Sequence, residues 1–256
     1  MAHWLIGSGF PRVAVLAGGL GAWREAGLPV DTRLADHAPV AAADAGAAER
    51  GVLDAFLPSL ADRYLRAGTL PARRRLATLY VDIAGSTRLL AHHPPETVLG
   101  VVQRFLRLVT EVALAYCGDV KDYEGDGALL YFESPADAVR AALAIRAALA
   151  CGRCGSPAET TVTARMSLTL GDVVVGVVGT SMRRAMALVG PSVSVGSRLL
   201  KQVAPGGIIA GGEVIEALRG EAPQLAEGFR LVDPAFPVPG ADGITVATWV
   251  AEPPAP

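Results

Sequence analysis

LATLYVDIAGST, from Leu76 to Thr87, alternates Ala77, Leu79, Val81 and Ile83 with Thr78, Tyr80 and Asp82. This two-residue period predicts a strand with one apolar face. Asp82 then closes the strand on its more polar face, and Ala84-Gly85-Ser86-Thr87 reads as a strand-to-helix turn. The N-H groups of such a turn suit an anion, because the first amides of a helix have no partner within it. A second stretch, GDVKDYEGDGALLYF from Gly118 to Phe132, sets Gly125-Asp126-Gly127 between two β-favouring runs, as a tight hairpin does. A second carboxylate therefore stands on a turn.

Two carboxylates beside a phosphate-binding turn are what two-magnesium phosphoryl or nucleotidyl transfer needs. Mg²⁺ takes a few hard oxygen ligands and leaves the rest of its octahedron to water and substrate phosphates. Each piece alone also has an ordinary structural reading, since Asp-Gly is common hairpin chemistry and Asp-x-x-Ser-Thr is common strand-to-helix punctuation. Their conjunction carries the weight.

VDIAGSTRLL and GDVKDYEGDGALLYF are followed by TLGDVVVGVVG and LVGPSVSVGSRLL, in order from Val81 to Leu200. Together they resemble the catalytic domain of class III adenylate/guanylate cyclases, over roughly Arg73 to Val250. The resemblance implies an α+β fold with a ferredoxin-like βαββαβ core. It also implies Asp82 and Asp126 as ligands of two Mg²⁺ or Mn²⁺ ions per site, with the Ile83 carbonyl as a third protein ligand. Amides of Ala84, Gly85, Ser86 and Thr87 would hold the β and γ phosphates of ATP, or of GTP, and Gly125 joins that substrate-binding set. Arg198 matches the arginine that balances charge on the α-phosphate, facing the metals across the interface of a homodimer with shared sites.

Three positions depart from the family pattern. Ser194 stands where an asparagine usually orients the ribose, and the chain has no asparagine at all. Serine donates a hydrogen bond over a shorter reach. Asp122 falls on the purine-selecting lysine position, with Lys121 one residue before it, so a regular strand would turn Lys121 to the wrong face unless a bulge re-aims it. Ala187 falls on the base-partner position, and alanine forms no hydrogen bond to a base. The leading expectation is an adenylate cyclase. The alternatives are a guanylate cyclase and a catalytically weak or inactive regulatory module that binds nucleotide or partners.

Composition narrows the classes further. The 256 residues are 51% hydrophobic and only 5% aromatic, enough for one sizeable domain packed on Ala, Val and Leu. A formal net charge of -2, with no basic run longer than Arg73-Arg74-Arg75, argues against nucleic acid as a partner. RNA binding would need Tyr80, Tyr131 and Phe132 as stacking aromatics. Apolar stretches such as Val173 to Val178 are too short to span a bilayer, and the N-terminus lacks a secretory pattern. Cys117, Cys151 and Cys154 form no disulfide framework, and Cys151-x-x-Cys154 has no second pair to complete a zinc site. A cytoplasmic protein is expected.

Outside the cyclase-like region, VAVLAGGLGAWREAGLPV from Val13 to Val30 resembles the C-terminal end of a rhodanese-like domain. None of the three cysteines matches that family's catalytic loop, so no sulfurtransferase activity is expected. The division expected is 1–33 for this fragment, 34–72 for a linker and coupling helix, and 73–252 for the cyclase domain. Within the last, helices are predicted near Ser86, over Glu96 to Tyr116, Ala136 to Ala150, Pro191 to Val203 and Glu213 to Arg219. Strands are predicted over Val162 to Leu170, Val173 to Val178, Gly207 to Ala210 and Ile244 to Val250, with a turn at Gly171-Asp172.

Overall fold

Strand β1, Ala72–Ile83, is the spine of the described structure, a computed structural model covering residues 70–152, 162–179, 184–241 and 243–252. The readings of 1–33, and of 34–72 up to residue 69, lie outside the described residues. β1 pairs antiparallel with β3, Gly127–Phe132, on one side and with β4, Ala164–Gly179, on the other. The sheet order is β2-β3-β1-β4-β6-β8-β7, where β2 is Asp119–Glu124, β6 Ile208–Gly211, β7 Arg230–Pro237 and β8 Thr245–Ala251. β5, Arg184–Val189, folds back on β4 off this path. β4 and β6 run parallel, and the remaining pairings are antiparallel.

Alternation along β1 sorts residues to two faces. Ala77, Leu79, Val81 and Ile83 join Leu130, Met166, Leu168 and Ile208 in the larger core. Helices α2 (Pro95–Ala115), α3 (Pro135–Ala150) and α5 (Gly212–Glu221) cover it, with Phe105, Val109, Ile145 and Leu218 fully buried. Proline at the first position starts both α2 and α3, and the Ser134 hydroxyl accepts the Asp137 amide at 3.2 Å as the cap of α3. The short α1, Ser86–His92, precedes them and ends before Pro94-Pro95.

The opposite face of the sheet is covered by α4, Pro191–Leu199, which runs on into a 3₁₀ turn at Leu200–Gln202. Its Val195 and Leu199 pack with Ile209 and Val238. The polar residues of the strands lie under it rather than in water. Thr78, Ser167 and Thr169 are buried, and Thr78 and Thr169 share a 2.7 Å hydrogen bond. Thr169 donates to the Ser192 carbonyl at 2.9 Å and Ser167 to the Gly196 carbonyl at 2.7 Å, so buried hydroxyls bolt α4 to β4.

Several expectations are corrected. No turn interrupts β4 at Gly171-Asp172, because these residues pair with Leu76 and Arg75 of an equally long β1. Gly171 serves close packing instead: a Cβ there would stand 2.8 Å from that of Ser192. β5 and β7 went unread. β5 has only Met186 and Leu188 as its buried pair, and β7 carries Pro234 and Pro237 on an exposed edge with two irregularities in register. After α2, Cys117 takes the left-handed conformation, and Gly118 leaves room for the Phe132 ring. Among the described residues, no helix is long and apolar enough to cross a membrane.

Candidate active site

Asp82 sits at the end of β1 between two cross-strand neighbours, Gly127 on β3 and Arg165 on β4. A Cβ on Gly127 would lie 2.8 Å from the Val81 carbonyl oxygen and 3.2 Å from the Asp82 Cβ. Only glycine admits the hairpin this closely, and the approach brings Asp126, in the turn just before it, within electrostatic reach of Asp82. On the other side the Arg165 guanidinium forks onto the carboxylate. Nε donates to Oδ1 at 3.2 Å and Nη2 to Oδ2 at 3.0 Å, with the two side chains 32% and 25% exposed.

The Asp82 carboxyl is nonetheless held above its ordinary pKa. Burial is the main cause, Arg165 pulls the other way by charge and hydrogen bonds, and the Asp126 charge adds to the rise. One arginine therefore does not offset the lost water and the second carboxylate, and further positive charge is favoured here. The donor set suits a hard divalent cation of the Mg²⁺ or Mn²⁺ kind. It offers two carboxylates and a nearby backbone carbonyl at Ile83, and leaves the other positions to water and phosphate oxygens. Among the described residues, no group of three or more His, Cys, Asp or Glu side chains forms a self-sufficient protein cage for a metal.

The turn after β1 has the geometry its sequence predicts, with one difference. Gly85 has φ +80°, in the region that favours glycine, and its carbonyl accepts the amides of Arg88 at 2.9 Å and Leu89 at 3.2 Å. The Ala84 amide, expected to face phosphate, donates instead to the Thr163 carbonyl at 2.9 Å. Gly85, Ser86 and Thr87 remain as the amides at the helix start.

A bulge lies at Lys121. Val120 pairs with Leu130 and Asp122 with the adjacent Leu129, so Lys121 is the extra residue of β2. Neighbours on a regular strand point to opposite faces, yet Lys121 Nζ reaches Asp122 Oδ2 at 3.1 Å. Leu129 pairs in turn with Tyr80, two residues from Asp82 on the same face. The bulge thus takes Lys121 out of the regular alternation, and its side chain, paired with Asp122, is only 19% exposed. Ala187 lies half-buried on β5 opposite Gly176, and β5 passes close to β2.

Ser194 and Arg198 sit one turn apart on α4. Arg198 Nη1 donates to the Ser194 carbonyl at 3.0 Å and Nη2 to the Gly240 carbonyl at 3.4 Å, toward the β7–β8 side of the sheet. Among the described residues no hydrogen bond joins Arg198 to Asp82 or Asp126. The fold thus brings Asp82 and Asp126 together beside the Gly85–Thr87 turn, while the Arg198 guanidinium is engaged by the Ser194 and Gly240 carbonyls. Arg165 is the residue that sequence reasoning missed. Its signal was being the one charged side chain in the strand Val162 to Leu170, but only strand register sets it opposite Asp82. Tyr80, Tyr131 and Phe132 are at most 9% exposed, which removes the stacking platform that RNA binding would need.

The sequence matches the family described as the adenylate and guanylate cyclase catalytic domain over residues 71–233. An uncharacterized protein of Mycobacterium tuberculosis, Rv1319c, is 31% identical over 149 residues, covering 56% of this chain and 28% of that protein. The chain thus spans little more than a quarter of the length of such curated relatives. Among solved structures, the adenylyl cyclase CyaB from P. aeruginosa superposes with a TM-score of 0.62 at 21% identity, over 70% of this chain and 94% of that one. The guanylate cyclase domain of RhGC from Catenaria anguillulae, solved with GTP, gives 0.61 at 17% identity, over 71% and 98%. At these identities the structures speak for the fold alone, and they do so for cyclases named for either base. With the family match spanning most of the mixed sheet that holds Asp82 and Asp126, this chain belongs to the class III adenylate and guanylate cyclase catalytic-domain family.

Proposed function

We propose that this chain is a nucleotide cyclase that converts ATP to 3′,5′-cyclic AMP and pyrophosphate. The observation that carries this reading is the pairing of Asp82 and Asp126 through the close Gly127 hairpin, directly before the Gly85–Thr87 turn. Asp82, Asp126 and the Ile83 carbonyl would hold two Mg²⁺ or Mn²⁺ ions. When bound, such ions ease ionisation of the ribose 3′-hydroxyl and neutralise charge on the triphosphate. The ribose O3′ attacks the α-phosphorus, the bond to the β-phosphate oxygen breaks, pyrophosphate leaves, and the hydroxyl proton passes to water.

Substrate placement falls to the surrounding residues. Amides of Gly85, Ser86 and Thr87 receive the β and γ phosphates, with Ala84 shaping the turn through its bond to Thr163. Lys121, re-aimed by the bulge, offers its ammonium to the base, Gly125 keeps the hairpin tip narrow, and Ala187 contributes contact without a hydrogen bond. Arg198 balances charge on the α-phosphate and Ser194 meets the ribose. Both act from a second copy, because within one chain Arg198 is turned to Gly240 and not to the carboxylates. The working unit is a homodimer with shared sites, placed in the cytoplasm. The stretch 34–72 links this domain, 73–252, to the rhodanese-like fragment 1–33.

A second reading, a guanylate cyclase or a weakly active regulatory module, is favoured by Ser194 and Ala187, which replace side chains with longer or stronger hydrogen-bonding reach. Cyclic nucleotide formation from ATP and from GTP with Mn²⁺ separates these readings. Cyclic AMP that disappears in Asp82→Ala is the expected result. Nucleotide binding without product from either base would overturn it in favour of the regulatory module.

A further inference from the structure

Two buried hydroxyls of β4 hold α4 on the sheet, Thr169 Oγ1 donating to the Ser192 carbonyl at 2.9 Å and Ser167 Oγ to the Gly196 carbonyl at 2.7 Å. A helix carbonyl has a second lone pair for such a bond beside its helical one. Each hydroxyl carries a single proton, so Thr169, having given its own to Ser192, accepts the 2.7 Å bond from Thr78 across β1–β4. The spacing decides what these bonds fix. Thr169 and Ser167 stand two residues apart on one strand face, about 6.6 Å, and Ser192 and Gly196 four residues apart on a helix, about 6 Å along its axis. The two intervals match with α4 running antiparallel to β4, so both bonds form at once. One bond would leave α4 free to pivot, whereas two set its slide and its rotation. The seat is also close: a Cβ on Gly196 would stand 3.0 Å from the Tyr80 ring and 3.1 Å from Thr169 Oγ1. Ser194 and Arg198 lie two residues beyond Ser192 and Gly196, roughly 200° round the helix from them, and Ser194 is exposed.

We infer that Ser167 and Thr169 are positioning residues for the cyclase reaction, whose hydroxyls fix the seat of α4 and with it the places of Ser194 and Arg198 in a site completed by a second copy. The inference rests on the reading of Ser194 and Arg198 as substrate-facing residues of a shared site. Ser167 and Thr169 are 0% and 4% exposed, so neither touches substrate. Without their hydroxyls the apolar contacts of Val195 and Leu199 still hold the helix on the sheet, but such contacts are non-directional and let it slide. A displacement of about 1 Å at a group that acts on the transition state costs up to about 100-fold in rate.

A Ser167→Ala, Thr169→Val double variant removes both hydroxyls with little change in side-chain size. Its cyclic nucleotide formation with Mn²⁺ should fall about 10- to 100-fold, and the defect should belong to the half of the site that supplies α4. Mixing it with single variants, with exchange of subunits verified by sedimentation, shows which half is at fault. With Asp82→Ala protein, the mixed dimer holds one site built from the double variant's carboxylates and an unaltered α4, and activity should approach that of an Asp82→Ala and Arg198→Ala mixture. With Arg198→Ala protein, the one remaining site has to use the altered α4, and activity should stay at least about tenfold lower. General destabilisation of the double variant would depress both mixtures equally. Equal activities in the two mixtures, while Asp82→Ala and Arg198→Ala complement each other, overturn the inference and leave the shared-site reading standing. Failure of that control pair to complement overturns the shared-site reading and the inference together. Should the double variant not fold, by circular dichroism, Ser167→Ala alone, which deletes a single oxygen, takes its place in the same two mixtures. A difference of at least about threefold between them is then expected, the scale of one hydrogen bond, and equality again overturns the inference.

Discussion

Asp82 and Tyr80 share one face of β1 and are both partly withdrawn from water, with different consequences. Asp82 gathers the charge of the site, and Asp82→Ala should lower cyclic nucleotide formation by at least about 100-fold, as loss of a ligand carboxylate does. Assays of product per chain with excess Mn²⁺ check this. The Tyr80 hydroxyl is raised from 10.0 to about 12, by burial first and by the Glu124 charge second. The folded state then keeps its proton to higher pH than the unfolded chain, so stability falls as pH rises through this interval. Tyr80→Phe should lose less stability than wild type between pH 8 and pH 11, by about 1 kcal/mol, in urea unfolding at the two values. The aspartates were legible in the sequence because turn chemistry is local. Arg165 was not, since its role depends on a residue 83 positions away.

The β2–β3 hairpin is the element on which the site turns. Gly127→Ala places a Cβ 2.8 Å from the Val81 carbonyl, and backbone has to move to relieve it. The melting temperature should drop, corresponding to about 1–3 kcal/mol, and activity should fall with it as Asp126 is pushed away from Asp82. Lys121→Ala should behave differently. It leaves the hairpin backbone in place and should raise KM for the nucleotide about tenfold with little change in melting temperature. Equal KM values for variant and wild type would remove Lys121 from the base-binding set. In the sequence the bulge was visible only as the one-residue offset of Lys121 from the family's lysine position, and the unequal pairing of β2 with β3 puts a bulge at that residue.

At the scale of the whole molecule, one chain holds Asp82 and Asp126 on the β1–β3 side of the sheet and turns Arg198 toward Gly240 near β7 and β8. A site shared between two copies makes a sharp prediction. Asp82→Ala and Arg198→Ala proteins, each inactive alone, should recover about a quarter of wild-type activity when mixed in equal amounts, because half of the dimers then carry one intact site of two. Activity per chain should also rise with concentration until dimers saturate. An inactive mixture, with dimer exchange verified by sedimentation, would place Arg198 outside the shared site.

Half-buried strands, the hairpin and the helix starts were legible residue by residue, because period-two alternation, Asp-Gly turns and Ser-Pro or Pro caps act over a few neighbouring residues. The sequence by itself also determined which family the motifs resemble. Tertiary structure alone decided that β4 runs unbroken through Gly171-Asp172, that β5 and the proline-bearing β7 join the sheet, and that Thr78, Ser167 and Thr169 are buried beneath α4. It also decided that β2 bulges at Lys121 and that Asp82 meets Arg165. The reason is physical. A strand's length, register and neighbours depend on hydrogen bonds to segments far away in the chain, and those partners are chosen only when the sheet assembles.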